Sequence, residues 1–148
     1  MSAEAVRLNT STAGSSRLAA FVLLFTFLPY LPQAQPPQVI EVLADHDSRF
    51  KMAGQKDPVI TVHAGEMVTL RITAVKAKDH NRDGSIHGFQ LLRAKDRLRV
   101  PGWDLLLKPG MQEFTLAAPA EAGEYVVVCT VICSSEHEGM HMKFVVLP

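Results

Sequence analysis

The sequence predicts an all-β fold, a Greek-key β-sandwich, from three observations. Short runs rich in valine, leucine, isoleucine and threonine recur throughout residues 38–148. Turn-forming residues separate these runs, as at 64–66 and 78–85, and long helical periodicity is scarce. Short strands at such spacing are typical of a β-sandwich with Greek-key connections.

The predicted strands follow one another along this part of the chain. They are 39–44, 58–63, 67–73, 87–92, 112–117, 123–129 and 142–147. Alternation supports the assignment, because Val68, Leu70 and Ile72 would share one face of their strand while polar residues take the other. The sequences AGE, KDHNRDGS, KPG and PAEAG lie between the runs and are typical of turns and loops. Residues 38–148 are numerous enough to bury one hydrophobic core.

The first 37 residues have a different composition. Arg7 and Arg17 lie in a polar stretch before the uncharged apolar run 18–31, and PQAQPP follows that run. The run is shorter than the roughly 20 residues that a spanning helix needs, and its flanks are typical of an export signal. A buried helix is the alternative, but the prolines at the end of the run disfavour it. We therefore predict that residues 1–37 are a signal peptide or an uncleaved membrane anchor with a linker, and that the domain at 38–148 is extracytoplasmic, in the periplasm.

The balance of charge gives no reason to expect a nucleic-acid partner. The chain has 15 basic and 15 acidic residues, so its formal net charge is zero. No basic cluster interleaved with aromatic residues is present either.

One stretch concentrates residues that bind soft metal ions. The sequence CTVICSSEHEGMHM, at 129–142, contains both cysteines of the chain, two of its six histidines and two of its six methionines. Cys129, Cys133, His137 and Met140 form the pattern C-x3-C-x3-H-x2-M between two predicted strands, whose packing would fix the positions of the ligands. Thiolate, imidazole and thioether together select soft or borderline ions, above all copper.

The second cysteine distinguishes two kinds of copper site. One thiolate with imidazole and thioether is enough for a single blue-copper ion. Two thiolates four residues apart can instead bridge two copper ions, and a second imidazole must then come from elsewhere in the fold. His87, in SIHGFQL, is the leading candidate because it begins a predicted strand after a loop. Gly88 would allow the neighbouring backbone to approach closely.

C-x3-C-x3-H-x2-M with an upstream H-G-F sequence resembles the binuclear copper A (CuA) domain of cytochrome c oxidase subunit II. The similarity covers residues 38–148 and implies a cupredoxin fold. It also implies two copper ions per chain, bridged by the thiolates of Cys129 and Cys133. The remaining ligands that the resemblance implies are the imidazoles of His87 and His137, the weakly bound thioether of Met140 and the backbone carbonyl of Val131.

The resemblance implies an electron-transfer module that is not catalytic alone. Its redox partner would be a c-type cytochrome or a terminal oxidase subunit, and it could be the subunit through which electrons enter an oxidase-like complex. A periplasmic copper chaperone that delivers copper to an oxidase is an alternative, and a mononuclear blue or green site is a third hypothesis. The ligand types alone leave all three open.

The cysteines, histidines and tryptophan also allow simpler interpretations. The two cysteines could form a disulfide, and two cysteines with two histidines could bind zinc, but a methionine in register favours copper. The other histidines are expected to be exposed or solvated: His46, His63, His80 and His141. For Trp103, packing is favoured over a role in electron transfer.

Overall fold

The computed structural model describes residues 36–76 and 78–148, which form two β-sheets. Their strands are β1 (Gln38–Ala44), β2 (Phe50–Lys51), β3 (Val59–His63), β4 (Met67–Ala74), β5 (His87–Arg93), β6 (Arg99–Leu107), β7 (Gly110–Ala117), β8 (Gly123–Val128) and β9 (His141–Leu147). A single 3-10 turn, His137–Gly139, is the only helical element in this part of the chain. None of its helical structure is long and apolar enough to cross a membrane. Residues 1–35 of the signal peptide or anchor with linker predicted at 1–37 lie outside the described residues.

Both sheets combine parallel and antiparallel pairs. One has the strand order β2-β1-β4-β7, and the other has the order β3-β9-β8-β5-β6. The pairs β1–β4 and β3–β9 are parallel, whereas the remaining neighbours are antiparallel. The chain changes sheet after β2, β3, β4, β6 and β7, so most strands that are consecutive in sequence lie in different sheets. The predicted all-β sandwich is confirmed.

The core lies between the two sheets and follows the predicted alternation. Val68, Leu70 and Ile72 of β4 are each 0% exposed. Arg71, between them, faces outward and donates to Glu113 on β7, with 2.7 Å between Nε and the carboxylate oxygen. Because successive side chains of a strand point to opposite faces, β4 supplies the core and the surface at once.

Two strands were not predicted from the sequence, and each omission has a physical reason. β6 contains Pro101 and Gly102, both of which normally weaken a strand. Both residues are tolerated because β6 is an edge strand of the five-stranded sheet, where the missing N–H of a proline disrupts no inner hydrogen-bond ladder. β2 has only two residues, too few to give a period in the sequence.

Trp103 on β6 has the packing role predicted for it. Its side chain is 2% exposed, and its Nε1–H donates to the carbonyl oxygen of Ala117 at 2.9 Å. The ring meets Phe144 of β9 edge to face, with 5.2 Å between the ring centroids. Trp103 therefore ties the edge strand to the core and to the end of β7.

The topology brings three strand ends to one end of the sandwich. β8 ends at Val128 and β9 begins at His141, and these two residues are paired across the antiparallel ladder. β5, which neighbours β8, begins at His87 at this same end. The connection 129–140, called the ligand loop below, is therefore held at both ends by one sheet.

The contacts of Trp103 predict the cost of replacing it. Trp103→Phe keeps an aromatic ring but loses the Nε1–H bond and part of the filled volume, so the free energy of unfolding should fall by about 1–3 kcal/mol. Urea unfolding of the protein prepared without metal would measure the change. Met111→Leu, at a 58% exposed position on β7, is the control and should change stability by less than about 0.5 kcal/mol. Equal stability of the two variants would contradict the packing role.

Candidate metal centre

Three predicted ligands lie together at the end of the sandwich. A ring nitrogen of His87 and the Sγ atoms of Cys129 and Cys133 all lie within 4.8 Å of one another. His87 and Cys133 are 0% exposed, and Cys129 is 9% exposed. Both cysteines are free thiols, with 3.9 Å between their sulfur atoms, far longer than the roughly 2.05 Å of a disulfide bond. Two sulfur ligands and one imidazole thus face a common point.

The hydrogen bonds of His87 leave one ring nitrogen available. Its Nε2 is 3.1 Å from the carbonyl oxygen of Val75, and because a carbonyl only accepts, Nε2 carries the proton. Nδ1 is then the unprotonated nitrogen, and among the described residues it is the one buried side-chain polar atom without a partner. Leaving such an atom unpaired is costly, and buried polar atoms of this kind call for a functional explanation. A metal ion is a natural partner for such a lone pair on a ring that lies close to two thiols.

Burial favours the uncharged forms of His87 and Cys129. Burial lowers the pKa of His87, against the opposing effects of the Val75 carbonyl and the Asp45 carboxylate, so the ring stays neutral as a ligand must. Burial also raises the pKa of the Cys129 thiol to about 11. A metal ion that binds Cys129 must therefore displace a proton that the protein alone retains.

Gly88 is required by the closeness of the ligand loop. Its N–H donates to Cys129 Sγ at 3.3 Å, which favours the thiolate form of that sulfur. A Cβ atom at this position would lie 2.6 Å from the backbone nitrogen of Thr130. The close backbone approach predicted at Gly88 is therefore present, and any side chain there would displace the loop.

Val131 and Met140 are buried beside the cluster. The carbonyl oxygen of Val131 accepts from Cys129 Sγ at 3.3 Å, so this carbonyl is turned toward the sulfurs. Met140 is 1% exposed, and its carbonyl accepts the Cys129 N–H at 3.1 Å, which closes the base of the ligand loop. Both residues are thus placed next to Cys129.

His137 is not brought into the cluster. It lies in the 3-10 turn, half-buried, and its Nδ1 is 3.0 Å from the carbonyl oxygen of Ser134, to which it donates. A nitrogen that donates a proton has no lone pair to offer a metal. Ligation through this atom requires His137 to give up its bond to Ser134, and its role as a ligand stays a prediction.

The sequence did not reveal the hydroxyl groups beside Cys133. Ser48 Oγ lies 3.8 Å from Cys133 Sγ and 2.6 Å from Ser134 Oγ. Ser48 is 85 residues distant from Cys133 in sequence, in a polar turn between β1 and β2, so no local pattern connects the two. The four histidines expected to be exposed or solvated are exposed: His46, His63, His80 and His141.

The lowered pKa of His87 predicts a pH dependence of stability in the protein prepared without metal. The unfolded chain takes up the His87 proton near pH 6.5, whereas the folded protein does so only at lower pH, so stability should fall as the pH is lowered from 7 toward 5. One proton limits this contribution to about 1.4 kcal/mol per pH unit. Urea unfolding at a series of pH values should give a shallower slope for His87→Gln than for the wild-type protein. His80→Gln, at an exposed site, is the control and should keep the wild-type slope; equal slopes for all three proteins would contradict the prediction.

The fold of the described residues is similar to those of blue copper proteins. Auracyanin A, a "blue" copper protein from the green thermophilic photosynthetic bacterium Chloroflexus aurantiacus, has a TM-score of 0.51 and 23% identity, with 76% of this chain and 100% of auracyanin A covered. Auracyanin B has a TM-score of 0.50 and 21% identity, with 78% and 93% covered. A heme-copper terminal oxidase has a TM-score of 0.49 and 18% identity, with 74% and 65% covered.

No family model and no curated protein matches the chain. At identities below 25%, the likeness to the auracyanins shows the fold alone. The two mixed sheets and this likeness together confirm the expected cupredoxin-like β-sandwich.

Proposed function

We propose that this chain is a copper-binding electron-transfer protein with a binuclear CuA-type centre, resembling the soluble domain of cytochrome c oxidase subunit II. One observation carries the proposal. Two free, buried thiols lie 3.9 Å apart and face a buried imidazole whose Nδ1 has no other partner. A single blue-copper ion needs one thiolate, so the second buried thiol beside the first is explained by a shared, thiolate-bridged site.

The donor set fits copper better than zinc. Cys129, Cys133 and His87 supply soft sulfur and borderline nitrogen, which suit both ions. Met140, at the end of the ligand loop, is also buried, and its thioether favours copper over zinc. In the proposed centre Cys129 and Cys133 would hold the ions through shared thiolates, His87 and His137 would each supply an imidazole, and Met140 and the Val131 carbonyl would be weak ligands.

The scaffold supports fast electron transfer by restraining its ligands. A copper pair held by both thiolates would supply one-electron transfer with little change in bond lengths. The chain contributes rigidity: the Cys129 N–H and the Met140 carbonyl are paired at 3.1 Å, and His87 is fixed through Val75. Ligands held in this way have little freedom to rearrange when the charge of the site changes.

We further propose that the redox partner, a c-type cytochrome or a terminal oxidase subunit, docks at the end of the sandwich that carries the cluster. Ile132, which lies between the two cysteines, is 67% exposed. Val75, whose carbonyl binds His87, is 38% exposed. Exposed apolar side chains beside a buried redox site suit a small, transient interface. Because an export signal or anchor is predicted at 1–37, we propose that this electron transfer takes place in the periplasm.

Copper counting with EPR spectroscopy on the reconstituted protein tests the function. Two copper ions per chain, a purple colour and a multiline EPR signal from one electron shared by both ions are the expected results. A colourless protein with one Cu(I) would favour the copper chaperone, and a single coloured Cu(II) would favour a mononuclear site. Either result would overturn the binuclear proposal.

The bridging role predicts the effect of removing either sulfur. Cys129→Ser and Cys133→Ser should each abolish the paired centre and its shared-electron EPR signal, because one sulfur cannot bridge two ions in the same geometry. Ser135→Ala changes an exposed residue of the same loop and serves as the control. Copper stoichiometry and absorption spectra measure the outcome. A serine variant with the wild-type spectrum would exclude bridging by that sulfur.

A weak ligand should tune the site without being essential to it. Met140→Leu nearly conserves side-chain volume, so the variant should fold, bind two copper ions and differ in reduction potential. Met111→Leu makes the same chemical change at an exposed position and should keep the wild-type potential. Protein-film voltammetry compares the two variants. Identical potentials would remove Met140 from the proposed ligand set.

A further inference from the structure

Ser48 occupies an unusual position for an ordinary turn residue. It lies between β1 and β2, is only 4% exposed, and has a φ of 57°, in the left-handed region that residues other than glycine rarely adopt. Its turn enforces this conformation, because the Ser48 N–H donates to the Asp45 carbonyl at 3.2 Å and the Asp45 N–H donates to the Arg49 carbonyl at 2.9 Å. Backbone strain of this kind persists where the surrounding structure fixes it, often at functional sites. The turn directs the Ser48 hydroxyl toward the ligand loop.

The hydrogen bonds of this hydroxyl have a defined direction when Cys133 is a thiolate. Ser134 Oγ accepts the Glu136 N–H at 3.0 Å and lies 2.6 Å from Ser48 Oγ. A thiolate sulfur can only accept, so the Ser48 O–H donates to Cys133 Sγ, 3.8 Å away. Ser48 Oγ in turn accepts the proton of the Ser134 hydroxyl. A chain of donors therefore runs from the ligand loop through both serines to the second sulfur.

We propose that Ser48 is a positioning residue that donates a hydrogen bond to the Cys133 thiolate and raises the reduction potential of the metal centre. The inference rests on the proposed function, in which both sulfurs bridge the copper ions. Each sulfur then has one donor from outside the ligand loop: the Gly88 N–H for Cys129 and the Ser48 hydroxyl for Cys133. A buried serine in a left-handed turn thereby acquires a specific role.

The direction of the effect follows from electrostatics. A donor to a thiolate draws electron density away from the sulfur, so that the sulfur stabilises the oxidised centre less well relative to the reduced one. Loss of the Ser48 hydroxyl should therefore make the centre harder to reduce. The sulfur-to-copper charge-transfer absorption should shift in the same variants, since it reports the electron density on sulfur.

Two substitutions at Ser48 separate the effect of losing the hydroxyl from the effect of backbone strain. Ser48→Ala and Ser48→Gly both remove the hydroxyl, but only glycine adopts a φ of 57° without strain. In both variants the equilibrium constant for reduction should fall about three- to tenfold, where tenfold corresponds to about 59 mV for a one-electron couple. Ser134→Ala, which removes the donor to Ser48, should shift the potential less and in the same direction. Thermal unfolding of the copper-free variants reports the backbone effect separately, with Ser48→Gly expected to be at least as stable as Ser48→Ala.

A matched control lies elsewhere in the chain. Arg97 is exposed and also has a left-handed backbone, with a φ of 59°, in the turn between β5 and β6. Arg97→Gly relieves the same kind of strain away from the cluster and should leave the potential and spectrum unchanged. Wild-type potentials and spectra in both Ser48 variants, each with two copper ions, would overturn the inference and leave the proposed function intact. A shift in Ser48→Ala alone would also overturn it, since that result assigns the effect to the backbone, whereas a wild-type protein without two copper ions would refute the proposed function itself.

Discussion

The hydrogen bond between His87 and the Val75 carbonyl determines the chemistry of the cluster. By fixing the proton on Nε2, it leaves Nδ1 with a free lone pair inside the protein, on a ring that lies close to two thiols. Burial alone would have produced a neutral ring without choosing which nitrogen keeps its lone pair. The position of Val75, just past the end of β4, thus decides whether His87 can act as a ligand.

Two groups of the cluster lie in unfavourable environments, and a bound metal ion would relieve both. The buried thiol of Cys129 resists ionisation, and the unpartnered Nδ1 of His87 forgoes a hydrogen bond. The sandwich tolerates this because strands β5, β8 and β9 hold the ligand loop from both sides. An ion that binds only the folded protein stabilises it by mass action, so folding and metal loading are coupled.

The two sulfurs differ in their surroundings although they belong to one short loop. Cys129 receives a backbone N–H from the neighbouring strand, whereas Cys133 lies next to a side-chain hydroxyl from a distant turn. The N–H that donates to Cys129 belongs to the backbone, so a side-chain substitution at Gly88 does not remove it. The Ser48 hydroxyl next to Cys133 is removed by a single substitution. The environment of Cys133 is therefore the more easily varied of the two, and it offers a route to adjust the site while the fold is kept.

The sandwich, the ligand loop and the selection of His87 could all be predicted from the sequence, because strand alternation, the C-x3-C-x3-H-x2-M spacing and the H-G-F sequence are local properties of the chain. Prediction from the sequence missed β6, since Pro101 and Gly102 are tolerated only at a sheet edge, and edges exist only once the strands are arranged. Tertiary structure alone placed Ser48 against Cys133 and paired His87 with Val75, because such contacts join residues far apart in sequence. The tertiary structure also shows the His137 ring hydrogen-bonded to the Ser134 carbonyl. This bond competes with metal binding, and the spacing of the ligand residues in the sequence does not reveal it.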